Sequence, residues 1–374
     1  MENMKIVTVL SIFMIFYSCN NMNNKNVKND NTYDIVTLKE EDLPEIEYLR
    51  LEKMDFPFET NYSCVVYKDT LVIADTEYPS PYFISVYGLN SKQLLGQCYK
   101  KGNGPGEILS CSYVVRNGGF YVSDHYTGLI SKFEVDTLLT LGKDYIPQII
   151  HTAATISSNI DEFDDSTILG INEFYMEGYK ECEQYPELLK IDMNTGRIIA
   201  DSDVYSYSFF PGVVAGGQLF NLKEANQIMF AFFKKPCIKF YDRDLNIVKR
   251  IVGPENDDIE FDAQDITGGV NVVEYDDMRS QFYVQSYVYD DQIFLLNNRV
   301  YKYEFDRFIN KSEVAKTQEI WLLDMKGDIK RRFKIENPES MIYSISYSGA
   351  TKLLYAVSFD EDGETIFCRC VPVE

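Results

Sequence analysis

Three basic residues, Arg299, Lys302 and Arg307, lie within one short stretch of a strongly acidic chain. Residues 297–318 carry five Lys or Arg against three Asp or Glu, a local excess of two positive charges. Guanidinium and ammonium groups bind anionic groups through charge-assisted hydrogen bonds, and tyrosine rings offer faces for stacking. This stretch is therefore a candidate site for an anionic or sugar-like ligand. The alternative is an ordinary solvated surface.

Other candidate ligand-binding residues fall in the connections between predicted strands, where binding residues concentrate in many proteins. They are Lys101, Glu107, His125, Tyr126, Tyr207, Lys234 and Lys235.

Motifs of common enzymes are missing from the sequence. The Gly102–Glu107 stretch has no Lys-Ser/Thr pair and opens no helix, so it is not a phosphate-binding loop. Only two histidines occur, and there is no Gly-x-Ser-x-Gly elbow of a serine hydrolase. Asp360-x-Asp362-Gly363 lacks the later ligands of a calcium loop and indicates a hairpin turn. No catalytic residue and no metal site follow from these motifs.

Composition limits the partners. The net charge of -22 disfavours DNA and RNA, which need clustered Lys and Arg to displace counterions. The hydrophobic content of 45%, with 28 Tyr and 24 Phe, is typical of half-buried strands. Eight cysteines occur at irregular spacings without a Cys-x-x-Cys motif, which favours buried free thiols over a metal site.

The first 40 residues indicate export and attachment. Residues 1–18 contain an apolar run of signal-peptide length, too short to span a bilayer. Ser18-Cys19 directly after this run resembles the lipobox of bacterial lipoproteins, in which the cysteine is lipidated. Residues 19–40, which are Asn-rich at their start, are expected to form a flexible tether. Simple secretion and a permanent membrane helix are the alternatives.

A pair of strand-like segments recurs along the rest of the chain. The first strands begin at residues 71, 120, 167, 228, 293 and 353, and the second strands at residues 82, 129, 187, 237, 319 and 364. Each second strand is apolar or alternating, and turn formers such as Asn194-Thr195-Gly196 follow several of them. Units of roughly 50 to 65 residues predict an all-β, six-bladed β-propeller with four-stranded antiparallel blades.

The last predicted blade lacks one strand, since only four residues follow Cys370. Residues 45–51 alternate between apolar and polar side chains and precede the first unit. We expect this N-terminal strand to complete the last blade and close the ring, so that residues 41–374 form one monomeric domain. Connections between second and third strands and between blades would then share one face, which collects the candidate loops.

The lipobox-like Cys19, the six strand pairs and the string Gly102-Asn103-Gly104-Pro105-Gly106-Glu107 together resemble the six-bladed β-propeller lipoproteins of Bacteroidetes-type bacteria. That family is related to TolB-like and NHL-like propellers, and the resemblance covers roughly residues 40–374. The glycine-rich string is its most specific motif, although the family's usual Phe after the Glu is Ile108 here.

The resemblance implies a ligand-binding or protein-interaction propeller in the cell envelope. The partner would be a glycan, a peptide or an envelope protein. Lipidated Cys19 would hold the protein to the outer membrane, with its periplasmic or surface orientation undecided. Some related propellers are calcium-dependent lactonases or lyases that use carboxylates and a histidine, so Glu107, Asp124 and His125 are the residues of an enzymatic alternative with calcium as cofactor. A scaffold for envelope complexes is the third possibility.

Overall fold

The structure is a computed structural model that describes most of the chain after residue 32. The described residues are 33–56, 64–74, 80–104, 106–116, 119–124, 126–127, 129–151, 160–171, 185–186, 188–202, 204–205, 217–233, 236–254, 262–266, 270–274, 283–289, 291–298, 316–338, 341–359 and 364–373.

Twenty-nine strands and one short helix make up the regular structure of these residues. The strands of the first half are β1 (Asp34–Thr37), β2 (Ile46–Lys53), β3 (Cys64–Tyr67), β4 (Thr70–Ala74), β5 (Tyr82–Gly88), β6 (Leu94–Lys100), β7 (Ser112–Arg116), β8 (Gly119–Asp124), β9 (Leu129–Phe133), β10 (Gln148–His151), β11 (Ile160–Asp164), β12 (Thr167–Ile171), β13 (Tyr185–Pro186), β14 (Leu188–Asp192), β15 (Ile198–Asp201) and β16 (Val204–Tyr205). The strands of the second half are β17 (Gly217–Leu222), β18 (Gln227–Phe232), β19 (Cys237–Tyr241), β20 (Ile247–Val252), β21 (Asp262–Ile266), β22 (Val270–Glu274), β23 (Tyr283–Tyr289), β24 (Gln292–Asn297), β25 (Glu319–Asp324), β26 (Ile329–Ile335), β27 (Ser344–Ser348), β28 (Leu353–Phe359) and β29 (Thr365–Pro372). The helix is α1 (Val135–Leu141), and 3₁₀ turns occupy Glu40–Asp42 and Gly142–Asp144.

Four-stranded antiparallel sheets follow one another along the chain. Their strand orders are β3-β4-β5-β6, β10-β9-β8-β7 and β11-β12-β14-β15, and β17 to β20 form a fourth sheet to which β1 adds in parallel. β13 pairs with β16 and β21 pairs with β22 in two small sheets. Successive antiparallel sheets of four strands are the architecture of a β-propeller.

The last strands of the chain form an eight-stranded sheet in the order β23-β24-β25-β26-β2-β29-β28-β27. The N-terminal strand β2 lies in its middle. Its residues Leu49–Lys53 pair antiparallel with β29, so part of the predicted N-terminal strand lies against the last strand. β2 also pairs in parallel with β26, from Ile46 opposite Arg332 to Leu49 opposite Ile335, and the sequence gives no indication of this second pairing.

Neighbouring sheets contact each other through their first strands and through apolar side chains. β7 contacts β11, β11 contacts β17, β17 contacts β23, β23 contacts β27, and β27 contacts β3. Apolar residues of β3 and β4 also pack against β28 and β29, with Val66 and Phe367 among the buried side chains. The first sheet of the chain is therefore packed on the last.

Three buried serines of β27 line this contact between the first and last sheets. Ser346 Oγ accepts the Val66 N–H at 3.0 Å, and Ser344 Oγ donates to the Cys64 carbonyl at 3.2 Å. Ser348 Oγ donates to the carbonyl of the residue after β3 at 2.6 Å. The hydroxyls satisfy backbone groups that face a neighbouring sheet instead of a neighbouring strand.

The recurring strand pairs predicted from the sequence are the second and third strands of each repeating unit, or β12 and β14 in the third unit. β4 with β5, β8 with β9, β12 with β14, β18 with β19, β24 with β25, and β28 with β29 are antiparallel neighbours. Each repeating unit nevertheless begins one strand earlier than the predicted pair, because β3, β7, β11, β17, β23 and β27 precede these pairs.

Two further features differ from the sequence-based expectation. Asp34–Thr37 forms β1 and bonds to β20, so the β-structure starts before residue 41, inside the segment that was expected to be tether. Residues 19–32 lie outside the described residues. Among the described residues, α1 is an α-helical segment between β9 and β10, with Val135 and Leu138 buried.

Candidate functional site

Glu107 holds the glycine-rich loop between β6 and β7 in place. Its Oε2 accepts the Gly104 N–H at 2.8 Å, and its Oε1 accepts the Lys100 Nζ at 2.6 Å. A side chain at Gly102 would place its Cβ 2.1 Å from Glu107 Oε2, and Gly102 has a φ of +150°. Glycine at position 102 therefore makes room for the carboxylate.

The same contacts keep the Glu107 carboxylate ionised. The hydrogen bond from Lys100 and then the Gly104 N–H lower the pKa of Glu107 below its ordinary value. The side chain is 21% exposed. In the structure, the Glu107 side chain fixes the glycine-rich loop.

Asp124 joins this loop to the connection between β8 and β9. The residue is 2% exposed. Its Oδ2 accepts the Leu109 N–H at 3.1 Å, and its Oδ1 accepts the Ser110 hydroxyl at 2.8 Å and the Tyr126 N–H at 3.0 Å. Burial alone would raise the pKa of Asp124, but these hydrogen bonds and one from Thr127 outweigh it and hold the pKa below its ordinary value.

Two apolar side chains are exposed on either side of Asp124. Tyr126 is 78% exposed and Leu109 is 41% exposed. Both backbone N–H groups bind the same carboxylate, so the backbone of the two residues is fixed on one support. We call Leu109 and Tyr126 on Asp124 the Asp124 surface. An exposed aromatic ring on a fixed backbone suits stacking against a flat apolar face.

Lys101 lies beside this loop. It is partly buried, its N–H donates to the Pro81 carbonyl at 2.9 Å, and its ammonium lies 5.1 Å from the centroid of the Phe83 ring. A cation at this distance from a ring is attracted to its face. The Lys101 ammonium thus lies over the Phe83 ring.

The structure brings together four of the residues singled out from the sequence: Lys101, Glu107, Asp124 and Tyr126. The other predicted site residues lie outside the described residues, and their predicted roles stay predictions. They are Cys19, His125, Tyr207, Lys234, Lys235, Arg299, Lys302 and Arg307.

Three residues of the site were not singled out from the sequence: Lys100, Leu109 and Ser110. Lys100 is the partner of Glu107, and Leu109 and Ser110 supply donors to Asp124. The sequence offered one indication of Leu109 and Ser110. They follow the glycine-rich loop directly, in the connection between β6 and β7.

Two of the three residues of the enzymatic alternative, Glu107 and Asp124, are described, and His125 is not. Glu107 and Asp124 already accept hydrogen bonds from ammonium, N–H or O–H groups on both oxygens. Within the described ranges, no three His, Cys, Asp or Glu side chains come together in a group that could hold a metal ion.

The part of the chain that the structure describes contains no helix with the length and apolar character needed to cross a membrane. Six described cysteines have buried free thiols: Cys64, Cys98, Cys111, Cys237, Cys368 and Cys370.

Comparison with known proteins shows that the fold of this chain is similar to that of solved structures. No protein-family model and no curated protein matches the sequence. Among solved structures, the chain is similar to a Bacteroides fragilis protein assigned as exported, with 12% identity, a TM-score of 0.51, and coverage of 91% of this chain and 100% of that chain. It is also similar to a member of the DUF4221 family from Bacteroides vulgatus, with 13% identity, a TM-score of 0.47, and coverage of 88% and 100%. A streptogramin B lyase has 10% identity, a TM-score of 0.42, and coverage of 87% and 98%.

The second and third of these likenesses have lower TM-scores and carry no inference about this chain. The first, at 12% identity, extends over nearly all of both chains. This chain therefore shares the fold of that Bacteroides fragilis protein.

Proposed function

We propose that this chain is a lipid-anchored, six-bladed β-propeller of the cell envelope that binds a partner at the Asp124 surface. The observation that carries the binding role is the single buried carboxylate that fixes the backbone of two residues with exposed side chains, Leu109 and Tyr126. Fixing the backbone in advance lowers the entropy that a partner must overcome on binding.

Six blades and a closed ring are the arrangement that best accounts for the strand pairings. β2 bonds to β29, and the serines of β27 bond to the backbone of β3, so both contacts join the two ends of the chain. If β2 closes the ring, deleting residues 45–52 will lower the melting temperature strongly. An unchanged melting temperature would refute the closure.

Export and anchoring rest on residues 1–19. The assignment of the Bacteroides fragilis protein of the same fold as exported agrees with this part of the proposal. Mass spectrometry of the purified protein should find diacylglycerol on Cys19, and a Cys19→Ser variant should leave the membrane fraction. A Cys19→Ser variant that stays in the membrane fraction would contradict lipidation.

The partner of the Asp124 surface has an apolar face, as a sugar ring or an aliphatic or aromatic side chain has. We expect a glycan, a peptide or an envelope protein. Melting temperatures measured against a panel of soluble oligosaccharides and short peptides will test this. A compound that raises the melting temperature of the wild type should lose its effect on a Tyr126→Ala variant.

Tyr48→Ala is the matched control, because Tyr48 is also an exposed tyrosine, 51% accessible, but lies on β2. The stabilising effect should survive in this variant. If Tyr126→Ala binds as well as Tyr48→Ala, the Asp124 surface is not the binding site. If crosslinking in cells followed by purification joins the protein to a fixed set of envelope proteins through Tyr126, the scaffold role is the correct form of the proposal.

A further inference from the structure

An Asn-Gly pair lies in the glycine-rich loop between β6 and β7. The pair is Asn103-Gly104, and Asn103 is exposed to solvent. A glycine after an asparagine has no side chain that keeps its backbone nitrogen away from the asparagine side-chain amide. This is the sequence context in which asparagine loses its amide most readily in water. The other Asn-Gly pair of the sequence is Asn117-Gly118.

The amide is lost through a ring that the chain forms with itself. The Gly104 backbone nitrogen attacks the carbonyl carbon of the Asn103 side chain, so an N–C bond forms and the bond from that carbon to Nδ2 breaks. Nδ2 leaves as ammonia and takes up the proton of the Gly104 N–H. Water then opens the cyclic imide at one of its two carbonyls. The products are aspartate and isoaspartate, and water is the sole co-reactant.

Glu107 holds the nitrogen that must make this attack. The Gly104 N–H donates to Glu107 Oε2 at 2.8 Å, and the Glu107 N–H donates back to the Gly104 carbonyl at 3.0 Å. Lys100 Nζ donates to the other carboxylate oxygen, Oε1, at 2.6 Å. The hydrogen bond to Oε2 has to break before the Gly104 nitrogen can turn to the Asn103 side chain.

The backbone before and after the pair is also fixed. The Gly102 N–H donates to the Ile108 carbonyl at 3.1 Å, and the Ile108 N–H donates to the Lys100 carbonyl at 3.0 Å. Rotation about the Asn103 Cα–C bond is the movement that brings the Gly104 nitrogen to the side-chain amide. This rotation therefore disturbs groups that the loop keeps hydrogen-bonded.

A carboxylate beside the attacking nitrogen can act in two opposite ways. It speeds the attack if it removes the proton of the N–H, and it slows the attack if it keeps the N–H as a hydrogen-bond donor. The hydrogen bonds from Lys100 and from the Gly104 N–H lower the pKa of Glu107, so its carboxylate is a weaker proton acceptor than a free one. The contacts of Glu107 therefore favour the slowing effect.

We propose that Asn103 is a deamidation site and that Glu107 slows its reaction by holding the Gly104 N–H. Glu107 is thus a protecting residue for its own loop. Conversion to isoaspartate adds a methylene group to the backbone path and moves the Gly104 N–H away from Glu107. Either product adds one negative charge to a chain whose net charge is already -22. Deamidation would therefore loosen the glycine-rich loop.

Peptide mass mapping of the folded chain, incubated in water enriched in heavy oxygen, tests the proposal. Heavy oxygen enters only those molecules that deamidate during the incubation. The reaction at Asn103 should be about three- to tenfold faster in Glu107→Ala than in the wild type, as expected for the loss of one hydrogen bond. Glu107→Gln, which keeps an acceptor oxygen, should lie between the two.

The matched control is Glu41→Ala, which removes a glutamate of another turn, with a side chain that is 75% exposed. It should deamidate at Asn103 like the wild type. Thermal unfolding of each variant shows whether the incubated chains are folded.

The unfolded wild type gives a second measurement that needs no variant. In urea, Asn103 and Asn117 should react at similar rates, because the Asn-Gly context alone then sets the rate. Asn103 should react more slowly in the folded chain than in urea. Equal rates at Asn103 in the two states would overturn the proposal, as would an absence of heavy oxygen at this residue in urea. An unchanged rate in Glu107→Ala would also overturn it, and a slower rate would make Glu107 the base of the reaction instead of its guard.

Discussion

Arg332 and Glu319 form a two-pronged ion pair in the interior, with Nε–Oε2 at 3.0 Å and Nη2–Oε1 at 2.9 Å. Their side chains are 5% and 3% exposed. The Trp321 indole N–H also donates to Glu319 Oε2 at 2.7 Å, and Arg332 Nη2 reaches Glu40 Oε1 at 3.0 Å. The pair therefore joins β25 and β26 to the N-terminal segment that precedes β2.

Replacing Glu319 by Gln should lower the free energy of unfolding by about 3–5 kcal/mol, because it removes the buried counter-charge of the Arg332 guanidinium and leaves only the exposed Glu40 carboxylate. Urea unfolding monitored by fluorescence measures the change. Glu40→Gln is the control, since Glu40 is 58% exposed and its ion pair should contribute no more than about 1 kcal/mol. Equal losses in the two variants would contradict the structural role of the buried pair.

Replacing Ser346 by Ala should cost about 1–3 kcal/mol, because the Val66 N–H is left buried without an acceptor. Amide exchange at Val66 should speed up in the same variant. Ser91→Ala, in the exposed turn between β5 and β6, should leave both quantities nearly unchanged. Unchanged exchange at Val66 in Ser346→Ala would show that the contact between the first and last sheets does not depend on this hydroxyl.

Asp124 should make the protein sensitive to acid. Its pKa is lower in the folded chain than in the unfolded chain, so its contribution is present above the unfolded pKa of about 3.9 and is lost as the pH falls through the folded value. Asp124→Asn should therefore lower the melting temperature at pH 7 and differ less from the wild type at pH 3.

Asp69→Asn, which changes an exposed carboxylate in the turn between β3 and β4, is the control for this series. Its melting temperature should follow the wild type at both pH values. A gap between Asp124→Asn and the wild type that is as large at pH 3 as at pH 7 would show that the Asp124 charge is not what stabilises the loops.

The buried thiols of Cys98 and Cys111 should be inert in the native protein. Burial raises the pKa of each thiol to about 12. At pH 8 only about one thiol in 10,000 is then a reactive thiolate. Iodoacetamide labelling followed by peptide mass mapping should find both residues unmodified until urea unfolds the chain. A Ser91→Cys variant supplies an exposed reference thiol, and equal labelling at all three positions would refute the burial.

The middle strands could be found from the sequence because they are buried on both faces. Ile228 to Ala231 in β18 read as an unbroken apolar run, which stands out from any neighbouring segment. The hairpin turns could be found because a carboxylate recurs in them. Asp324 Oδ1 accepts the N–H groups of Lys326 and Asp328, and the Asp–x–x–Gly spacing is visible in the sequence.

The innermost and outermost strands were harder to find, since their side chains do not follow a simple alternation. In β27 the buried faces carry Ser344, Ser346 and Ser348, which are polar because they bond to the backbone of β3. β1 has four exposed residues and is held by backbone bonds to β20, so its side chains give no signal. The contact of Leu109 with Asp124 depends on how two separate loops meet, which no local pattern reports.

The position of β2 between β26 and β29 has a kinetic consequence. A ribosome makes Ile46–Lys53 before Ile329–Ile335 and Thr365–Pro372, the two segments that supply the backbone groups this strand must meet. During translation the early segment has to wait without its partners, and loop closure across most of the polypeptide is a slow, entropically costly event. Maturation of the eight-stranded sheet is therefore a step that must follow the synthesis of Thr365–Pro372.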